Sequence, residues 1–422
     1  MKLIVSHSQL RGITAAPPSK SHTHRAFILA ALADGTSVVS SPLFGEDTNA
    51  TLDAVEALGA EVSRTPENDT VTIRGGKLRP SAKIIDCKNS GTSIRILAGV
   101  AAQLAGTTSL TGDASLCSRP MKPLLDAFTE LGVTVTSRDG CAPFSVTGPV
   151  SGAAVHIRGD ISSQFISALL IGAPLSKNEL SVHLTTLLTS RPYVEMTIAA
   201  MKEHGVSVVT TEDGFFVPKN QKYSPADARV GGDYSSAAFL FAAGALTGDV
   251  IVTNLYPKDP QGDKMFIDLL ESLGAGVNRT SSGEVRVTKG PMHGADVNLA
   301  DAPDLFPIAA VLATQCEGTT RLFGAAHLRF KESDRIKSTA MFLQSMGADI
   351  TETEDGCIVN GPCALSGTNV TTFGDHRIMM AAAVAGLIAD GDTVIDDAEC
   401  CAVSYPNFVA AMQALGAHMR FA

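Results

Sequence analysis

The sequence predicts an α/β (α+β) protein built from six copies of one mixed unit. Three observations carry this. Six helical stretches each run into a small-residue turn: Leu58-Gly59-Ala60, Leu131-Gly132-Val133, His204-Gly205-Val206, Leu273-Gly274-Ala275, Met346-Gly347-Ala348 and Leu415-Gly416-Ala417. The glycines stand 73, 73, 69, 73 and 69 residues apart, too even a spacing for chance in a chain of 422. A short alternating strand follows the turn, and a second strand often follows that.

The first copy shows the grammar. Leu52, Val55 and Leu58 recur at helical spacing, with Asp53 and Glu56 on the other side. Gly59 can take the left-handed conformation that closes a helix. Ala60-Glu61-Val62-Ser63 then alternates as a strand, and Val71-Thr72-Ile73-Arg74-Gly75 supplies its hairpin partner. Helices are predicted again at 124–131, 266–273, 338–346 and 408–415, and Cys357–Gly361 repeats the hairpin strand. Each unit therefore offers two or more strands and at least one helix, a sheet packed on helices.

Three units end before residue 232 and three follow it. The Pro- and Gly-rich stretch from Tyr223 to Asp233 reads as a crossing between two domains. Ala16-Pro17-Pro18-Ser19 reads either as a second crossing or as the end of a strand. Two crossings would make a hinge near 17–19 and 231–233, with residues 19–231 in one domain and 1–18 plus 232–422 in the other.

Composition narrows the function classes. The chain is 45% hydrophobic and 18% charged, an ordinary globular balance. The apolar runs 237–246 and 379–389 are about half the ~20 residues of a membrane span. Met1-Lys2-Leu3-Ile4-Val5 lacks the features of a signal peptide, so a cytoplasmic protein is expected. Net charge is −10, which opposes nucleic acid and anionic membranes as partners. Eight cysteines show neither CxxC pairs nor zinc spacing, and reduced core thiols are expected.

The polar constellations precede apolar helices. Ser19-Lys20-Ser21-His22-Thr23-His24-Arg25 puts hydroxyls, a Lys and an Arg before the run 26–33. Free backbone N–H groups and the helix dipole make such an end suit an anion, although a capped helix with a solvated Lys reads equally from these residues alone. Asn89-Ser90-Gly91-Thr92-Ser93-Ile94-Arg95 starts another helix, and Gly91 would let a ligand approach the backbone. Ser118-Arg119-Pro120, Ser162-Ser163-Gln164 and Ser190-Arg191-Pro192-Tyr193 repeat the theme in repeat-related positions.

The second half adds carboxylates. Asp301-Ala302-Pro303-Asp304 precedes the apolar run 305–313, and Gly374-Asp375-His376-Arg377 precedes 378–389. Arg329-Phe330-Lys331-Glu332-Ser333-Asp334-Arg335 holds five charges in seven residues; on a helix, Lys331 and Arg335 would share a face, and the run could equally be a solvated ion-paired surface. P-loop, dinucleotide, paired metal-ligand and GxSxG motifs are missing. The residues point to an enzyme closing two domains over multiply anionic substrates, with Asp or Glu moving protons and neither metal nor cofactor.

Taken in order, Lys20-Ser21…Arg25, Asn89-Ser90-Gly91-Thr92, Arg119-Pro120, Ser162-Ser163-Gln164, Ser190…Tyr193, Asp304, Lys331-Glu332-Ser333-Asp334-Arg335 and Asp375-His376-Arg377 resemble the 5-enolpyruvylshikimate-3-phosphate synthases over nearly the whole chain. The resemblance implies a two-domain inside-out α/β barrel of six βαβαββ repeats, three per domain, and a monomer. It implies transfer of the enolpyruvyl group of phosphoenolpyruvate to the 5-hydroxyl of shikimate 3-phosphate, in the shikimate pathway to chorismate and aromatic amino acids. By the same resemblance, Ser162, Ser163 and Ser190 would hold the phosphate of shikimate 3-phosphate, and Ser21 and Arg25 its carboxylate end. Tyr193 and His327 would add further contacts to that ligand, and Gln164 would lie between the two substrates. Lys20, the Gly91 backbone and Arg119 would grip the phosphate of phosphoenolpyruvate, and Arg335 and Arg377 its carboxylate. Asp304 looks like the base and Glu332 the acid, with Lys331 between them.

Three positions depart from the family pattern. Val403 stands where many members carry a Lys, His327 where an Asn is usual, and Ile96 where Pro is frequent. The sister enolpyruvyltransferase acting on UDP-N-acetylglucosamine is the alternative. Its nucleophilic Cys lies five residues before an Arg-Pro pair, a place held here by Ala114, with Cys117 only two before Arg119. RNA 3′-phosphate cyclase, a more distant relative in fold, would be expected to carry a basic surface. A catalytically dead binding protein would be expected to lack Asp304, Lys331 or Glu332.

Overall fold

In the computed structural model, which describes residues 1–65 and 69–422, each of the six turn glycines has a positive φ, from 81° at Gly205 to 109° at Gly59 and Gly274. An L side chain rarely adopts that conformation, so glycine is what lets each helix stop and reverse into a strand. By packing, the chain divides into two compact units, Pro18–Val230 and Met1–Pro17 joined with Gly231–Ala422, each with its own hydrophobic core.

Among the described residues, each unit contains three four-stranded sheets of one design. In the sheet of Ile85–Asp86, Gly106–Thr111, Thr134–Arg138 and Cys141–Gly148, the spatial order is first, second, fourth, third. The first pair is parallel and the other two are antiparallel. The parallel pair needs a crossover, and helix Gly91–Ala101 provides it. Helix Lys122–Glu130 then leads into the closing hairpin.

The helices between the parallel strands are the inner ones. Tyr234–Thr247, Phe306–Ala313 and His376–Gly386 are buried at every residue, and Lys20–Leu32, Gly91–Ala101 and Ser163–Gly172 nearly so. Beyond their polar starts their sequences are apolar almost all round, as a helix without a solvent face must be. Strands such as Asp249–Thr253 alternate buried and half-buried residues, so one sheet face lies on the core. Helices inside and sheets outside is the inside-out layering. Glycine sets its closest approach: a Cβ on Gly99 would sit 2.1 Å from the Ala168 carbonyl oxygen, and one on Gly172 would sit 2.6 Å from that of Gly99. Even alanine at either place would force these helices apart, a strain of about 1–3 kcal/mol.

The N-terminal strands belong to the C-terminal sheets. Leu3–Ser6 pairs antiparallel with Thr393–Ile395 and His418–Phe421, and Arg11–Ala15 pairs parallel with Asp249–Thr253. Conversely, Ala228–Arg229 pairs parallel with Thr36–Ser40. The chain thus changes unit twice, each time between the first strand of a repeat and its inner helix. Both crossings are buried and tied down. Asp233 N–H donates to the Pro17 carbonyl at 2.8 Å, and Gln261 Nε2 donates to Gly232 at 2.9 Å.

One expectation changes. The charged run 329–335 is not a single helix: a 3-10 turn covers Ala326–Phe330, residues 331–334 bend, and the helix begins at Arg335. Asp334 is the reason, because its carboxylate accepts the Lys337 N–H at 3.1 Å and caps a new helix there. Lys331 and Glu332 therefore lie on a loop before a helix, a freer place for reactive side chains.

Candidate active site

In the unit of residues 18–230, the predicted residues gather at the N-termini of inner helices. Ser19 caps Lys20–Leu32, Ser90 caps Gly91–Ala101 and Ser162 caps Ser163–Gly172. Each hydroxyl satisfies only one of the free N–H groups that a helix start presents, leaving donors for a ligand. Ser190 starts helix Arg191–Glu203 in the left-handed region, at φ 54°.

Two clusters form there. Arg25 is 2% exposed and spends its guanidinium on the protein: Nε donates to Thr197 Oγ1, and its terminal nitrogens donate to the Ser21 and Tyr193 carbonyls, all at 2.9 Å. Burial lowers its pKa to about 10, with Tyr193 opposing, so it remains charged at neutral pH. In this arrangement Arg25 fixes Ser21 and Tyr193.

The second cluster surrounds Gly91. Arg95 donates to Gln164 Oε1 at 2.6 Å, and Gln164 Nε2 donates to Thr92 Oγ1 at 2.8 Å. Arg119 donates to Asn89 Oδ1 and to Ser115 Oγ. A Cβ on Gly91 would lie 3.2 Å from one terminal nitrogen of Arg95 and 3.3 Å from one of Arg119, so two guanidiniums flank this backbone. Lys20 Nζ meets Asp47 at 3.0 Å, both largely buried. Asn89 and Arg95 stood in the helix-start motif without a role of their own, and Asp47 in no motif. The signal for Asp47 was its place in the first turn of an outer helix, beside Glu46.

In the unit containing residues 231–422, the predicted Asp304, Glu332 and Arg377 gather around Arg335, which is 1% exposed. One terminal nitrogen donates to Asp304 Oδ1 at 2.8 Å, the other to Glu332 Oε2 at 2.5 Å, and Nε donates to Asp375 Oδ2 at 2.9 Å. Arg377 donates to the second Asp304 oxygen at 2.8 Å and to Ser235 Oγ at 2.6 Å. Asp375 also caps its own helix by accepting the Arg377 N–H, and takes a hydrogen bond from Ser333. It therefore orients the Arg335 guanidinium and fixes the backbone from which Arg377 extends. Its position directly before His376-Arg377 was the available signal.

Electrostatics follow from this packing. Burial alone would raise the Asp304 carboxyl, but Arg377, Lys331 and Arg335 outweigh it and hold the group well below the usual carboxylate range. Burial would lower Arg335, yet Asp375, Glu332 and Asp304 together raise it. His327 is buried on the 3-10 turn; burial, with Lys331 adding, lowers it to about 4, so it is neutral at pH 7. Among the described residues, no group of three or more His, Cys, Asp or Glu is placed to hold a metal ion. The arrangement offers fixed guanidiniums and helix ends to an anion, and keeps one carboxylate ionised beside a second on a loop.

This fold recurs among solved structures. The structure of the enolpyruvyl transferase NikO from Streptomyces tendae shares it, with a TM-score of 0.82 over 99% of this chain and 98% of that one, at 17% identity, a likeness of fold alone. Sequence is more particular. The family model of EPSP synthase (3-phosphoshikimate 1-carboxyvinyltransferase) matches residues 4–412, and the chain belongs to that family. It is 68% identical to the 3-phosphoshikimate 1-carboxyvinyltransferase of Methanocorpusculum labreanum over the full length of both. It is 42% identical to that of Methanocaldococcus jannaschii over 99% of this chain and 98% of the other. The EPSP synthase structure from Acinetobacter baumannii superposes with a TM-score of 0.83 at 29% identity, over the whole of both chains.

Proposed function

We propose that this chain transfers the enolpyruvyl group of phosphoenolpyruvate to the 5-hydroxyl of shikimate 3-phosphate, releasing phosphate. Family membership over residues 4–412 supports the reaction class. The observation that carries the geometry is Asp304, one carboxylate shared between Arg335 and Arg377. A guanidinium pair already spaced for one carboxylate suits that of phosphoenolpyruvate.

The roles follow by position. Ser162, Ser163, Ser190 and Gln164 hold shikimate 3-phosphate, with Ser21 and Tyr193 set by Arg25 and His327 adding a neutral contact. Lys20, Arg119 and the Gly91 backbone take the phosphate of phosphoenolpyruvate. Asp304 accepts the 5-hydroxyl proton as that oxygen bonds to C2 of phosphoenolpyruvate, and Glu332 delivers a proton to the C3 methylene. The resulting tetrahedral adduct loses phosphate from C2 and a proton from the new methyl, restoring the double bond. Lys331, close enough to bias both Asp304 and His327, steadies charge between acid and base. Holding the two reactants together can supply ~7–11 kcal/mol of the barrier reduction.

The crossings at 17–19 and 231–233, read as hinges, are held to each other by the Asp233–Pro17 hydrogen bond. Monomeric, cytoplasmic operation fits this reading; no described helix is long and apolar enough to span a membrane. Phosphorus NMR of the products tests the reaction. Inorganic phosphate and one new phosphate monoester, formed together from the two substrates, are expected. A product that retains both phosphates overturns it.

A further inference from the structure

We infer that His24 is a positioning residue for the phosphate of phosphoenolpyruvate, acting through a buried hydroxyl ladder onto the Ser90-Gly91 helix start. The inference rests on the functional reading above, which places Lys20 and Gly91 at that phosphate. His24 lies one turn into the helix that Lys20 begins and is fully buried. Its Nδ1 is 2.7 Å from Thr51 Oγ1, Thr51 Oγ1 is 2.7 Å from Ser93 Oγ, and Ser93 Oγ is 2.6 Å from Ser90 Oγ. Ser90 is the N-cap of helix Gly91–Ala101 and accepts the Ser93 N–H at 3.1 Å. Thr51 and Ser93 both also approach the Asp47 carbonyl, and the Asp47 side chain holds Lys20. One continuous ladder therefore ties three helices: two begin with the proposed phosphate-binding groups Lys20 and Gly91, and the third carries Asp47, which holds Lys20.

The ladder has a direction. The His24 Nε2 is buried with no hydrogen-bond partner among the described residues. An N–H stranded there would be penalised more heavily than a bare lone pair, so the proton sits on Nδ1 and is donated to Thr51. Burial, with Lys20 and Arg25 adding, pushes the imidazole well below its usual pKa and keeps it neutral. A neutral side chain with a donor at the Nδ1 position is the chemical requirement, and Asn meets it with its amide nitrogen.

His24→Leu keeps bulk and removes the donor; Thr51→Val cuts the next rung with almost no change of shape; His24→Asn restores the donor. The Michaelis constant for phosphoenolpyruvate should rise about tenfold in H24L and T51V, as expected for one lost hydrogen bond. The constant for shikimate 3-phosphate should stay within about twofold, and H24N should recover most of the loss. Thermal melts identify any variant that fails to fold; T51V, the milder change, then decides alone. Equal rises for both substrates, no rise in T51V, or an H24N no better than H24L overturns the inference while leaving the reaction standing. A wild-type chain that releases no phosphate from the pair overturns the functional reading and this inference together.

Discussion

Asp304 and Arg335 form a largely buried ion pair at 2.8 Å, and the other Asp304 oxygen lies equally close to Arg377. The proposed base is thus held by the two cations proposed to bind the substrate carboxylate. When phosphoenolpyruvate takes those guanidiniums, Asp304 gives up part of its stabilisation as an anion. Burial then raises its proton affinity at the moment the 5-hydroxyl proton must be accepted. On this proposal the base is weak in the resting protein and strengthens when substrate binds.

Asp304→Asn keeps the shape and removes the charge. Turnover should fall by about 10²–10⁴-fold, the usual range for a positioned acid or base, with a much smaller change in either Michaelis constant. Steady-state kinetics with both substrates varied checks this. A near-normal rate removes Asp304 as base.

The same carboxylate makes stability depend on pH. Its folded-state pKa lies below its unfolded value of about 3.9, so its contribution is complete above that value. It is lost as pH falls through the unfolded pKa toward the folded one. Urea unfolding at pH 6, 5, 4 and 3.5 should show wild type losing its advantage over Asp304→Asn below about pH 4. Parallel curves would contradict the pairing.

His327 should stay uncharged where an ordinary imidazole titrates. With a folded pKa of about 4, its ring resonance should not shift between pH 7 and 5. Proton NMR of wild type, assigned by the resonance lost in His327→Gln, reads this. A midpoint near 6.5 would place His327 in water instead.

Gly91→Ala puts a methyl against the terminal nitrogens of Arg95 and Arg119. Those are the ends of flexible side chains, so the fold should survive. The guanidiniums must shift, and the Michaelis constant for phosphoenolpyruvate should rise by roughly tenfold, equivalent to a strain of about 1–2 kcal/mol. Shikimate 3-phosphate should bind nearly as before. If the two constants move together, Gly91 does not mark the phosphoenolpyruvate side.

The repeat was legible because a helix that reverses into a strand needs a residue at positive φ, and glycine reports that locally. The interlocking was less so: pairing of Leu3–Ser6 with His418–Phe421 joins opposite ends of the chain, which no local pattern encodes. Among the candidate residues, those at helix starts were legible from Ser, Gly and Asp caps. Asp47 was passed over, and Asp375 and Arg95 stood in motifs without a role, because their importance lies in long-range partners, Lys20, Arg335 and Gln164. The run 329–335 misled because periodicity allows one helix, whereas the Asp334 cap begins a new one.

Acceptor-dependent release of phosphate from phosphoenolpyruvate tests the central claim most directly. The purified chain should release phosphate rapidly with shikimate 3-phosphate, and at background rate with UDP-N-acetylglucosamine or no acceptor. Equal release without shikimate 3-phosphate, or release driven by the nucleotide sugar, would contradict it.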